Sequence, residues 1–159
     1  MRKSAYLAVT ATFLIAGAAM AAGEHGGGHD QKLKFGQPGK AAEATRTINV
    51  SANDQMRFVV DAQRIKVGET IKFVVKNDGK IVHEFSFGDA AYQRAHANMM
   101  KKDPNMSHDE SPNAVKLQPG ETKTLVWKFD TVMQGPLEMA CFTPGHYEQG
   151  MKALIGVTK

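Results

Sequence analysis

Residues 141–151, CFTPGHYEQGM, set a thiol, an imidazole and a thioether at equal intervals, in Cys141, His146 and Met151. Cys141 is the only cysteine in the chain, so no internal disulfide can form. An unpaired cysteine is buried and inert, joined to another molecule, or held as a thiolate by a metal. A loop of this length can curl its three side chains toward one point. Thiolate, imidazole and thioether are soft or borderline donors that suit copper rather than calcium or magnesium. The electron-transfer copper set is two histidines, one cysteine and a weak axial methionine, so this loop lacks one histidine.

IVHEFSF contains a candidate for the missing ligand. Side chains alternate across a strand, so His83 shares a face with Phe85 and Phe87. A titratable ring on an apolar face is either a satisfied core residue or a ligand. In LEMAC the same alternation puts Leu137, Met139 and Cys141 on one face, so Cys141 ends its strand pointing inward.

The elements that would position these side chains are short and alternating. TINV, MRFV, RIKV, TIKFVVKN, VHEFSF, TLVWKF, LEMAC and ALIGV carry a period of two. Ile71, Phe73 and Val75 oppose Lys72 and Lys76, and Leu125, Trp127 and Phe129 oppose Thr124 and Lys128. Such runs are strands with one buried face. Gly68, Asn77 to Gly79 and Pro119 to Gly120 supply the turns. This pattern predicts a β-sandwich or barrel. One segment departs from it: residues 89–103, DAAYQRAHANMMKKD, have Asp89 as a candidate N-cap, helix-favouring alanines and lysines, and Pro104 beyond the end. A single helix is therefore expected between two strands, followed by a polar loop through Asn113.

NDGKIVHEF, VGETIKFVVKN, LQPGETKTLVWKF and CFTPGHYEQGM together resemble the cupredoxins, the copper-binding group that includes plastocyanin, azurin and rusticyanin. The resemblance spans residues 47–159 and implies an all-β, cupredoxin-like Greek-key β-sandwich with one inserted helix. Carried over position by position, it implies His83, Cys141 and His146 as the strong ligands of one type 1 copper and Met151 as the axial one. The ligand loop is longer than plastocyanin's and similar to rusticyanin's. Electron-carrier cupredoxins commonly place Asn directly after the first histidine, where it ties the two ligand loops together. Here that position is Glu84, which bears on the tuning of the metal.

Two further groups of soft donors stand outside this set. His96, Met99 and Met100 lie at i, i+3 and i+4, on one face of the expected helix, and the following loop adds Met106 and His108, read as exposed. They form either an accessory copper site, suited to Cu(I), or a packing face of the helix. His25 and His29 flank a glycine run near the N-terminus. They are a loose accessory copper site or two histidines in a tail.

The first 21 residues have Arg2 and Lys3, an apolar run too short to span a bilayer, and a small-residue site at Ala19 to Ala21. That is the layout of a secretory signal. Residues 22–46 then read as a flexible, histidine-bearing arm, rich in Gly, Lys and Ala, and 47–159 as the domain. Removal of Arg2 and Lys3 lowers the formal net charge from +4 to +2, which gives no reason to expect a nucleic-acid partner. Nothing after the signal is apolar enough to span a membrane. No catalytic dyad, G-x-S-x-G nucleophile or phosphate loop is evident, so an enzyme is not expected.

The residues and the resemblance imply a periplasmic copper-binding protein of the copper-tolerance kind found in Gram-negative bacteria. Its ligand is copper, and a redox or copper-transfer protein is the expected partner. The alternative is a one-electron carrier, blue or green in colour, working between redox partners.

Overall fold

The computed structural model describes residues 32–62, 64–108 and 111–159. The signal segment, His25 and His29 lie outside the described residues. The alternating runs form strands: β1 (Gln37–Pro38), β2 (Arg46–Asn53), β3 (Arg57–Val60), β4 (Arg64–Lys66), β5 (Thr70–Asn77) and β6 (His83–Gly88). After the helix α1 (Ala90–Lys102) come β7 (Ala114–Leu117), β8 (Thr122–Lys128), β9 (Leu137–Ala140) and β10 (Lys152–Thr158). They make two five-stranded sheets, ordered β1-β8-β5-β2-β3 and β4-β10-β9-β6-β7. The pairs β2 with β5 and β4 with β10 are parallel, and the other ladders are antiparallel.

The expected apolar faces meet between the sheets. Ile71, Phe73, Val75, Phe85, Phe87, Trp127 and Phe129 are all fully buried. Phe87 is the hub of this core, with ring centroids 5.0 Å from Phe73, 5.4 Å from Trp127 and 6.0 Å from Phe85.

The pairing register gathers the candidate ligands. Ser86 lies opposite Ala140 across β6 and β9, and Lys152 opposite Ala140 across β10 and β9. The start of β6, the chain leaving β9 and the chain entering β10 therefore share one end of the sheet, so His83, Cys141 and Met151 share it too.

Two expectations, one from composition and one from helical spacing, are corrected. The stretch from Lys32, read as part of a flexible arm, packs on the sandwich: Phe35 is 1% exposed and stacks on Trp127 at 5.3 Å. Trp127 Nε1–H donates to the Phe35 carbonyl at 3.1 Å, and β1 pairs with β8. Gly36 permits this approach at φ +126°, because a Cβ there would meet the Lys128 carbonyl oxygen at 2.2 Å. The three donors placed on one helix face also separate. Gln93, His96 and Met100 face inward, whereas Met99 is 50% exposed.

The helix itself starts where expected, with the Asp89 carboxylate accepting the Tyr92 N–H at 2.7 Å. Gln93 fastens it to the sheet by donating to the Glu138 carbonyl at 3.0 Å. Among the described residues, no helix is long and apolar enough to cross a membrane.

Replacing Phe87 with alanine should leave a cavity at the hub of the aromatic cluster. It is expected to cost about 3–5 kcal/mol, read as a lower denaturant midpoint at unchanged slope in the metal-free protein.

Candidate metal centre

The three strong candidate donors come from two loops, one carrying His83 and the other Cys141 and His146, and each loop is fixed by hydrogen bonds to the backbone. His83 opens β6, after a loop pinned by Asn77, whose side-chain amide donates to the carbonyls of Ile81 at 2.8 Å and Leu117 at 3.1 Å. Cys141 follows β9. Its N–H donates to the Met151 carbonyl at 3.1 Å, and the Met151 N–H donates to the His146 carbonyl at 3.0 Å. Those two bonds close the loop at its base. The left-handed Gly145 (φ +83°) and Gly150 (φ +100°) allow its turns, and Arg57 reaches across to the Gln149 carbonyl at 2.8 Å.

This scaffold brings the donors together. His83 Nδ1 stands 3.3 Å from His146 Nδ1, and Cys141 Sγ stands 3.4 Å from the same nitrogen. The ligand atoms of His83, Cys141 and His146 all lie within 4.8 Å of one another. His83, Cys141 and Met151 are fully buried and His146 is 7% exposed. Asp54 Oδ1 sits 3.3 Å from His83 Nε2 on the outer side of that ring. A carboxylate there favours the tautomer that leaves Nδ1 free toward the cluster.

Burial governs the electrostatics of this cluster. Burial pushes the Cys141 thiol above its ordinary range, against hydrogen bonds from Thr143 and Glu84. Burial and the neighbouring His83 push His146 down. Both shifts favour neutral groups, which avoids an uncompensated buried charge. The Glu84 N–H, 3.3 Å from Sγ, is a donor ready for a thiolate.

Glu84 is the residue whose role the sequence left open. Its carboxylate accepts the Phe142 N–H at 2.9 Å on Oε2, so the link between the two ligand loops is present with a carboxylate as the acceptor. Its other oxygen, Oε1, accepts from His96 Nε2 and, at 3.0 Å, from His108 Nε2. His108, expected in solvent, is 5% exposed, and Met106 is partly buried. The polar segment folds back because a buried carboxylate requires partners, which no local pattern in the sequence registers. His96 and His108 therefore converge on Glu84. Met99 points away from it into solvent.

Burial alone would raise the Glu84 carboxyl, but the hydrogen bonds and charges of His108 and His96 outweigh it and hold the group at about 2. A depressed carboxyl adds stability that is present above its ordinary 4.5 and is lost as pH falls through about 2. The metal-free protein should therefore be more stable than its Glu84→Gln variant at neutral pH. That advantage should shrink from about pH 5 downward, followed by denaturant unfolding at each pH.

Comparison with known proteins bears on the family and the fold. The family model described as "Copper binding proteins, plastocyanin/azurin family" matches residues 44–158. The "Copper-resistant cuproprotein CopI" of Rubrivivax gelatinosus is 39% identical over 98% of this chain and 96% of its own length. The protein of the same description from Pseudomonas aeruginosa is 36% identical over 77% of this chain and 82% of its own. Among solved structures, the dithionite-reduced auracyanin of Roseiflexus castenholzii superposes with a TM-score of 0.58 at 20% identity, over 73% of this chain and 99% of its own. That likeness speaks to the fold.

Proposed function

The chain belongs to the plastocyanin/azurin family of copper-binding proteins and binds copper, and on that premise we propose that it serves copper tolerance in the periplasm through one type 1 site. His83, Cys141 and His146 would hold the ion, with Met151 as the weak axial donor. The observation that carries this reading is the convergence of one thiol and two imidazole nitrogens in a buried pocket. That donor set fits copper better than any hard cation. Bound there, copper supplies a soft cation with a one-electron couple.

The chain's own residues supply the rest. The Glu84 N–H is aimed at the sulfur, Asp54 braces His83 from outside, and the Phe142 N–H bond to Glu84 keeps the two ligand loops together. Burial of all four ligands leaves no open position for a substrate, so the protein is read as a binding protein rather than an enzyme.

Tolerance is preferred to electron carriage for two reasons. The relatives at 36% and 39% identity are described as copper-resistant cuproproteins, and this chain carries donors that a one-electron carrier does not need. His25 and His29, together with the exposed Met99 and the partly buried Met106, would add accessory capacity for copper. The alternative, a one-electron carrier, draws on the loop tip, where Pro144 and Gly145 are exposed beside half-buried Phe142 and Tyr147. A redox partner could approach His146 at this tip.

A strain whose only copy carries Cys141→Ala should become copper-sensitive while still accumulating the protein. Growth at raised copper equal to that of the wild type would rule out the tolerance role of this site.

A further inference from the structure

We propose that Glu84, His96 and His108 form a second metal site, for a divalent ion of borderline hardness such as Zn(II) or Cu(II), built into the interior beside the cysteine-containing one. It differs in place and in donor type from a thioether site on the helix.

The cluster draws on three separate elements. Glu84 is the second residue of β6, His96 lies on the inner face of α1, and His108 lies on the loop beyond the helix. Glu84 is fully buried, and the two histidines are each 5% exposed. One carboxylate oxygen and two imidazole nitrogens lie within 4.8 Å of one another. His108 Nε2 stands 3.0 Å from Glu84 Oε1. Donors that share one ion at about 2.0–2.2 Å stand roughly 3 Å apart at the corners of its coordination shell, so this pair already has the spacing of two ligands.

The donor set decides the class of ion. Two imidazoles and one carboxylate, with no sulfur, suit zinc and Cu(II) and are a poor match for Cu(I), which prefers thiolate and thioether. They are also too few oxygens for calcium.

The rings are held for this role. His96 lies 5.7 Å from the Phe142 ring and 6.3 Å from that of Tyr92, stacked on the latter. Its plane is thus set by packing. His108 Nδ1 is buried and has no hydrogen-bond partner among the described residues. A neutral imidazole that gives Nε2 to a metal carries its proton on Nδ1, and this nitrogen is free to take it. The second carboxylate oxygen is occupied by the Phe142 N–H, which fixes Oε1 toward the two rings.

The test separates this site from the cysteine-containing one and from the N-terminal histidines. The full chain carrying Cys141→Ala, His146→Ala, His25→Ala and His29→Ala is loaded with Zn(II), desalted and counted. About one zinc per chain is expected, falling at least tenfold when His108→Gln is added. X-ray absorption on the loaded quadruple variant needs no further mutation. It should show a shell of nitrogen and oxygen with two imidazoles and no sulfur. Zinc at background level, a sulfur-containing shell, or a stoichiometry untouched by His108→Gln would each overturn the proposal. Failure of the copper reading at Cys141 would leave these results unchanged, because that ligand is already removed.

Discussion

A carboxylate taken out of water must be matched by donors, and the burial of Glu84 imposes that requirement where the two ligand loops meet. Three other parts of the chain satisfy it: α1 contributes His96, the loop beyond it His108, and the chain leaving β9 the Phe142 N–H. The Glu84 N–H in turn reaches Cys141 Sγ. One residue therefore couples the position of the inserted helix to the position of the thiol. Removing it would leave two imidazoles and a backbone N–H buried without a partner, a larger effect than losing one contact.

Much of the molecule was legible from short-range pattern. Alternation located the strands and placed Phe73, Phe85, Phe87 and Trp127 inside, because one side of each sheet must be dry. The helix and its Asp89 cap followed from local chemistry, which needs no knowledge of the remainder of the fold. The spacing of Cys141, His146 and Met151, with His83 misplaced among phenylalanines, pointed to one cluster, and the register of β6, β9 and β10 brings those residues to one end of a sheet.

What pattern missed depends on contacts far apart in sequence. Phe35 lies in a stretch of glycine and lysine, so composition spoke for a loose arm, yet its ring stacks on Trp127. His108 lies among polar residues that belong in water, and a carboxylate 24 positions earlier pulls it inside. Glu84 read as a departure from a carrier-like pattern. Only the fold reveals that its carboxylate ties the ligand loops together while its other oxygen gathers two histidines. Met99 shows the converse limit: helical spacing grouped it with His96 and Met100, but the buried face of the helix is narrower than that arc.

The donors at Cys141 lie adjacent in a buried pocket, where burial favours their neutral forms, so a metal held there must displace the thiol proton. The most direct measurement is a Cu(II) titration of the purified protein, followed by visible absorption, beside the same titration of Cys141→Ser. Thiolate-to-copper charge transfer should give an intense visible band that saturates at one equivalent in the wild type and is missing from the variant. A colourless wild-type protein, or a band that survives in Cys141→Ser, would contradict the assignment of copper to these ligands.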